Sequence, residues 1–259
     1  MRMIKTVSIL TAGILLAGCA TAPVTGRRQL TLIPGGQLAS LGESSYREVI
    51  SASDLSTDRE RTEMLERVGR RIARAAEDFM EETGRGSEIR HYDWEFSLIE
   101  DDTVNAWAMP GGKIAFYTGI LDLMDSEDEV AAVMGHEVAH VIADHGNERM
   151  SQAILVEFGG MALSRLLRER PHETRNIFFA AFGLGAQIGV LLPYSRRHEY
   201  EADEIGIVLM RDAGYDPAGA ITFWEKMDAL SGPAVPEFLS THPSSSSRIE
   251  RMREVIGGL

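Results

Sequence analysis

An α+β fold dominated by helices, with a small antiparallel sheet beside one buried helix, is what this sequence predicts. Three observations carry the prediction. Apolar residues recur at helical spacing over long segments, as in Met64, Leu65, Val68, Ile72, Ala75, Ala76 and Phe79. Residues 91–118 instead alternate apolar with polar side chains and contain two turn signals, Asp101-Asp102 and Pro110-Gly111-Gly112. Directly after them comes a helix that is apolar nearly all round. A chain of 259 residues, 44% hydrophobic, suits one sizeable core or two small ones.

In chain order, residues 1–18 stand apart from the fold. Arg2 and Lys5 form a basic start, and Thr6 to Leu16 is an apolar run too short for a permanent membrane span. The segment ends Leu16-Ala17-Gly18-Cys19, which resembles the bacterial lipobox of a lipoprotein signal peptide, with Cys19 as the lipidation site. Cys19 is the only cysteine, so no intramolecular disulfide can form. By resemblance to enteric lipoproteins, Ala20 in place of aspartate favours a lipid anchor in the outer membrane, facing the periplasm. Residues 19–36 then read as a lipidated tether, in which 24–30 is a semi-apolar run suited to docking in extended form. Residues 37–259 read as one domain.

Leu38 to Ile50 and Thr57 to Glu82 have helical spacing, and Thr83 to Glu88 is a turn-rich break. Tyr92, Trp94, Phe96 and Leu98 mark a first strand, Val104 to Met109 a second, and Lys113 to Tyr117 a third. An edge strand of such a sheet can hold a substrate peptide in extended form through main-chain hydrogen bonds. Ser126-Glu127-Asp128-Glu129 reads as a capping box opening the next helix. His145 and Arg149 read as cations complementing that helix's C-terminus. Gln152 to Leu167 and Ile177 to Leu192 are apolar helical segments separated by polar residues 168–175. The second, with 16 residues, three glycines and Gln187, is short for a membrane span and fits a core helix or a flap. Asp and Glu outnumber Lys and Arg by 39 to 26, a net charge of −13, which argues against nucleic acid as a partner.

Within the apolar helix lies MGHEVAH, residues 134–140. Its His136 and His140 are four apart and share a face, so their rings can converge on one ion. Glu137 lies beside the first, where its carboxylate can act as general base. Two histidines and a glutamate in a buried helix need a partner, and a metal supplies one. A catalytic zinc site normally has three protein ligands. A histidine six residues after the second is ruled out because position 146 is Gly146, and no cysteine stands nearby. A glutamate on a later helix remains, within SRRHEYEADEIG (195–206). Glu199 and Asp203 share a face there, which makes Glu199 the expected third ligand and Asp203 the carboxylate that orients a ligand histidine. Glu201, turned roughly 200° from Glu199, reads as a solvated residue or a surface partner of Arg196 and Arg197.

HEVAH, followed 55–60 residues on by HEYEAD and then by Thr241-His242-Pro243 with Arg248 six beyond the histidine, resembles the zinc metallopeptidase family of the CAAX prenyl proteases and HtpX. More closely it resembles that family's periplasmic lipoprotein branch, from about Val24 to the C-terminus. The resemblance implies a zincin-type domain with one Zn²⁺ held by His136, His140 and Glu199. It implies that His242 and Arg248 lie near the metal, as candidates for binding substrate or stabilising the oxyanion. His242 is alternatively a further metal ligand that keeps the enzyme latent. The function expected is a membrane-anchored zinc endopeptidase acting on misfolded or unassembled envelope proteins, with the outer-membrane assembly machinery as a possible partner. Two alternatives stand beside it: a non-proteolytic chaperone or assembly factor for outer-membrane proteins, and a hydrolase of cell-wall peptides.

Overall fold

Within the expected tether two short strands pair: Cys19–Thr21 (β1) and Arg28–Leu30 (β2) are antiparallel, with Cys19 opposite Leu30. The computed structural model describes residues 19–22, 25–184, 195–230, 236–243 and 246–259. The expected signal segment 1–18 and residues 185–192 of the second apolar segment lie outside them. The tether is therefore a docked arm. The Leu32 N–H donates to Ser151 Oγ (2.9 Å), and Asn147 Nδ2 donates to the Ile33 carbonyl (3.0 Å).

Helix α1 (Gly35–Ser51) and helix α2 (Arg59–Glu82) match the two expected helices. Asp58 caps α2 by accepting from the Arg61 N–H at 3.1 Å. The apolar stripe of α2, from Leu65 to Met80, is buried in the larger core together with the motif helix.

The sheet orders its strands β3 (Glu95–Ile99), β5 (Lys113–Tyr117), β4 (Ala106–Met109). The β4–β5 hairpin is antiparallel as expected, with Gly111 and Gly112 in its turn at φ of 85° and 83°, where only glycine is unstrained. Strand β3, however, runs parallel to β5, so the sheet is mixed. The connection explains the difference. Residues 100–105 cross the end of β5, held by Tyr117 N–H to Asn105 O (3.1 Å) and Gly119 N–H to Asp101 O (2.9 Å), and put β4 on the far side. β4 is thus the edge strand packed along the motif helix.

After the short helix α3 (Thr118–Leu121) comes the motif helix α4 (Glu127–Ile142), buried on every side from Glu129 onward. Ser126 caps it, but the Glu129 carboxylate takes Lys226 Nζ at 2.7 Å, so only half of the expected capping box forms. The helix ends where its apolar run ends, at Ile142. Asp144 adopts a left-handed conformation (φ 58°), and Arg85 reaches both its carboxylate and the Ile142 carbonyl. His145 and Arg149 consequently belong to a new helix, α5 (His145–Phe158), and both are buried. Arg149 donates to the carbonyls of Ala180 and Ala181, each at 2.9 Å, so the end it complements belongs to a different helix.

The first apolar segment is also divided. Gly159 and Gly160, both at positive φ, end α5, and α6 (Leu163–Glu169) follows. Helix α7 (Pro171–Ala181) starts six residues before Ile177, because Pro171 fits a first helical turn that needs no N–H donor. The remainder is α8 (Arg196–Asp212), α9 (Ala218–Ala229), α10 (Glu237–Thr241) and α11 (Ser246–Gly257). Among the described residues no helix is long and apolar enough to cross a membrane.

What brings the distant acids to the motif is a crossing of α4 over α8 at two glycines. A Cβ on Gly206 would lie 3.0 Å from Gly135 C and from His136 N, both backbone atoms of a buried helix. Gly206→Ala is therefore expected to part the helices by a few tenths of an ångström. It should destabilise the protein by about 1–3 kcal/mol and weaken metal binding, checked by thermal unfolding with and without zinc.

Candidate metal centre

His136, His140, Glu199 and His242 each offer one ligand atom, and these atoms all lie within 4.8 Å of one another. Helix α4 supplies the first two, α8 the third, and the residue capping α10 the fourth. All are at most 3% exposed. His136 Nε2 lies 3.0 Å from His140 Nε2 and 3.2 Å from His242 Nδ1. The Glu199 oxygens lie 3.5 Å from His136 Nε2, 3.4 Å from His140 Nε2 and 3.3 Å from His242 Nδ1.

These atoms are lone-pair donors crowded together. Asp203 Oδ1 faces His136 Nδ1 at 2.9 Å, which places that ring's proton on Nδ1 and leaves Nε2 bare. Oε1 of Glu199 and Oε1 of Glu137 are buried and accept no hydrogen bond among the described residues, whereas Glu199 Oε2 has Arg248 Nη1 2.8 Å away. Buried carboxylate oxygens in that state are costly unless a cation satisfies them. The spacing also fits: a tetrahedral ion with bonds of about 2.0–2.1 Å needs ligand atoms about 3.3 Å apart. The donor set of two or three imidazoles and a carboxylate is one that zinc takes. In the metal-free protein a proton is the nearest substitute. Burial opposes it, yet Asp203 and Glu199 outweigh burial and raise His136 to about 9.

Glu137 lies beside this cage, its Oε1 3.4 Å from His242 Nε2. Burial pushes its pKa up to about 8, with His136 offsetting part of the rise and Glu199 adding to it. Arg248 lies beside the cage as the resemblance implies, and its guanidinium is engaged by acids and a ring. It is buried, with Nη2 and Nε on Asp203 at 2.6 and 2.8 Å, Nη1 2.8 Å from Glu199 Oε2, and Cζ 3.7 Å over the Trp224 ring. For Glu199, burial works upward, but Arg248, His242 and the two motif histidines hold it well below the usual carboxylate range.

A second set of residues, which sequence reasoning did not assemble, lies behind His140. His145 Nδ1 is 2.9 Å from His140 Nδ1, and its Nε2 is 3.0 Å from Glu201 Oε2. Burial, outweighing the Glu201 carboxylate, pulls His145 down to about 4. Glu201 is not the surface residue expected. It is 2% exposed, and its cation is Arg27 of the arm instead of Arg196 or Arg197. The only signal in the sequence was His145 itself, five residues past His140 and one short of the tested spacing.

The sequence matches peptidase family M48 over residues 61–256. It is 35% identical over 240 residues to the mitochondrial metalloendopeptidase OMA1 of Schizosaccharomyces pombe, covering 90% of this chain and 65% of that protein. It is 28% identical over 243 residues to the human metalloendopeptidase OMA1, covering 91% of this chain and 45% of that one. The beta-barrel assembly-enhancing protease of Escherichia coli K12 is 26% identical over 246 residues, 90% of this chain and 46% of its own. The chain thus spans about half to two thirds of the length of these relatives, none of which is named as a CAAX prenyl protease or HtpX. The matched span contains both motif histidines, Glu137, Glu199 and the late His242 and Arg248, and the chain belongs to peptidase family M48.

Proposed function

We propose that the protein is a zinc-dependent endopeptidase that hydrolyses misfolded or unassembled envelope proteins, held through a lipid on Cys19 at the periplasmic face of a bacterial outer membrane. The observation that carries the reading is Glu137. A buried carboxylate whose Oε1 accepts no hydrogen bond among the described residues, next to a cage of metal-ligand atoms, serves proton transfer; metal binding alone has no use for it. The names of the relatives support proteolysis, and that of the Escherichia coli protein supports a link to β-barrel assembly. The placement at the outer membrane rests on the lipobox and on the resemblance to the periplasmic lipoprotein branch.

His136, His140 and Glu199 would hold the zinc. When bound, the ion supplies Lewis acidity, polarising a peptide carbonyl and acidifying water to a pKa of about 7. Glu137 takes the proton of the attacking water on a carboxylate oxygen and passes it to the leaving amine. Strand β4, the sheet edge beside α4, is the strand along which a substrate chain would lie extended, and all four of its residues are buried in the protein without substrate. Asp203 holds the His136 ring, and Arg248 holds Asp203 and Glu199, so both are positioning residues.

His242 favours the latent alternative over substrate binding. Its Nδ1 stands with the other three donors, so it would serve as a fourth ligand where an open catalytic site takes water. His242→Ala should therefore raise cleavage of an unfolded casein several-fold with zinc content unchanged, and a chelator should abolish cleavage in both proteins until zinc is restored. Equal or lower turnover in His242→Ala would return His242 to a role on substrate. If neither protein shows zinc-dependent cleavage, the endopeptidase reading fails.

A further inference from the structure

We infer that the N-terminal arm is a working part of the metal centre: Arg27 and Thr25 clamp Glu201, and the Glu201–His145 pair fixes His140 in the tautomer that turns a bare Nε2 toward the metal. The inference rests on the metal reading above and adds to it residues lying on no ligand-bearing face of α4 or α8.

Hydrogen-bond polarity along the chain of contacts carries the argument. A carboxylate accepts and cannot donate. Glu201 Oε2, 3.0 Å from His145 Nε2, therefore requires the proton on that nitrogen; the other tautomer would set two lone pairs against each other. A metal on Nε2 of His140 leaves Nδ1 as the only place for that ring's proton, so the matching atom of His145, its Nδ1, is the acceptor. That atom faces His140 Nδ1 at 2.9 Å, so the His140 ring must donate there, with its proton on Nδ1 and Nε2 left as a lone pair. This is the form a ligand needs. His136 reaches the same form in one step, through Asp203. His140 reaches it in two, through a histidine and then a carboxylate.

What holds the carboxylate comes from the arm. Arg27 donates to Glu201 from Nε (2.9 and 3.2 Å to its two oxygens) and from Nη2 (3.0 Å). Its Nη1 and Nη2 also grip Glu148 on α5 at 2.9 and 2.8 Å. Thr25 Oγ1 adds a donor to Glu201 Oε1 at 2.6 Å. Burial works to raise Glu201, but His145, Arg27 and Thr25 outweigh it and keep the carboxyl well below its usual range. Glu148 in turn faces His198 Nε2 at 3.0 Å, and His198 stacks on His145 at 4.5 Å between ring centroids, which fixes the His145 plane. A guanidinium bridging two helices, inserted from a hairpin that begins at Cys19, thus connects the arm to a metal ligand through three hydrogen-bonded contacts.

The test compares zinc affinity, by competition with a chromophoric chelator, in the full chain and in His145→Leu, His145→Asn and Arg27→Gln. His145→Leu removes the acceptor for His140 and should lose about 10–100-fold in affinity. His145→Asn puts an amide oxygen near the place of Nδ1 and should stay within a few-fold of wild type. Arg27→Gln should weaken zinc several-fold. Cobalt substituted for zinc should show a shifted visible band in the Leu variant and a wild-type band in Asn. Nitrogen NMR of the zinc-free proteins should find His140 protonated on Nδ1 in wild type and Asn but as a mixture in Leu. The inference is overturned if Leu binds zinc like wild type with an unchanged band, or if Asn is as weak as Leu, because packing would then explain both. Wild type that binds no zinc at all would sink the metal reading instead.

Discussion

Glu137→Gln should lower cleavage of unfolded casein by about 10²–10⁴-fold, the usual worth of a positioned general base, and leave one zinc per chain in place. Glutamine has the same shape and cannot take a proton. Glu137 is not among the four converging donors, although it neighbours His136 in sequence. A helix turns about 100° per residue, which sends its side chain past the ligand face, and Oε1 comes to rest 3.4 Å from His242 Nε2. Zinc lost together with activity would make Glu137 a ligand and redraw the centre. Retained cleavage would remove the base assignment. The same variant separates the alternative functions: if Glu137→Gln rescues an envelope-assembly defect as well as wild type, the protein works as a chaperone or assembly factor. Turnover of muropeptides without turnover of unfolded protein would make it a cell-wall hydrolase.

Much of this centre was legible in the sequence because helices impose a period. His136 and His140 had to share a face, as did Glu199 and Asp203, and two such pairs on buried helices can meet at one ion. The Ser126 cap and the glycine turn at 111–112 were local signals of the same kind. Long-range partners have no period. Nothing in the spacing says that Arg27 reaches Glu201, 174 residues away, or that Arg85 stops the motif helix at Asp144. The parallel placement of β3 against β5 escaped for a related reason. Short strands joined by turns suggest neighbours in sequence order, and only the path of residues 100–105 shows that one strand is skipped. The crossing at Gly135 and Gly206 was hidden too, since a glycine inside a helix looks the same in sequence whether it weakens the helix or admits a neighbour.

Arg248→Leu should destabilise the metal-free protein by about 3–5 kcal/mol, the effect of breaking a buried ion pair from one side. For a domain of this size that is a fall of about 6–20 °C in the unfolding midpoint. The arginine is 2% exposed, and its guanidinium serves two carboxylates, Asp203 and Glu199, while it stacks on Trp224. Leucine would restore part of the packing on Trp224 and none of the charge, leaving both acids buried. His136, raised to about 9, can answer only by holding its proton more firmly. Zinc changes the balance because it returns a cation to Glu199. The gap between Arg248→Leu and wild type should accordingly narrow when both are loaded, whereas a residue acting on substrate would leave the midpoint unmoved and alter KM alone. An unchanged midpoint with a raised KM would restore the substrate role that the family resemblance first implied for Arg248.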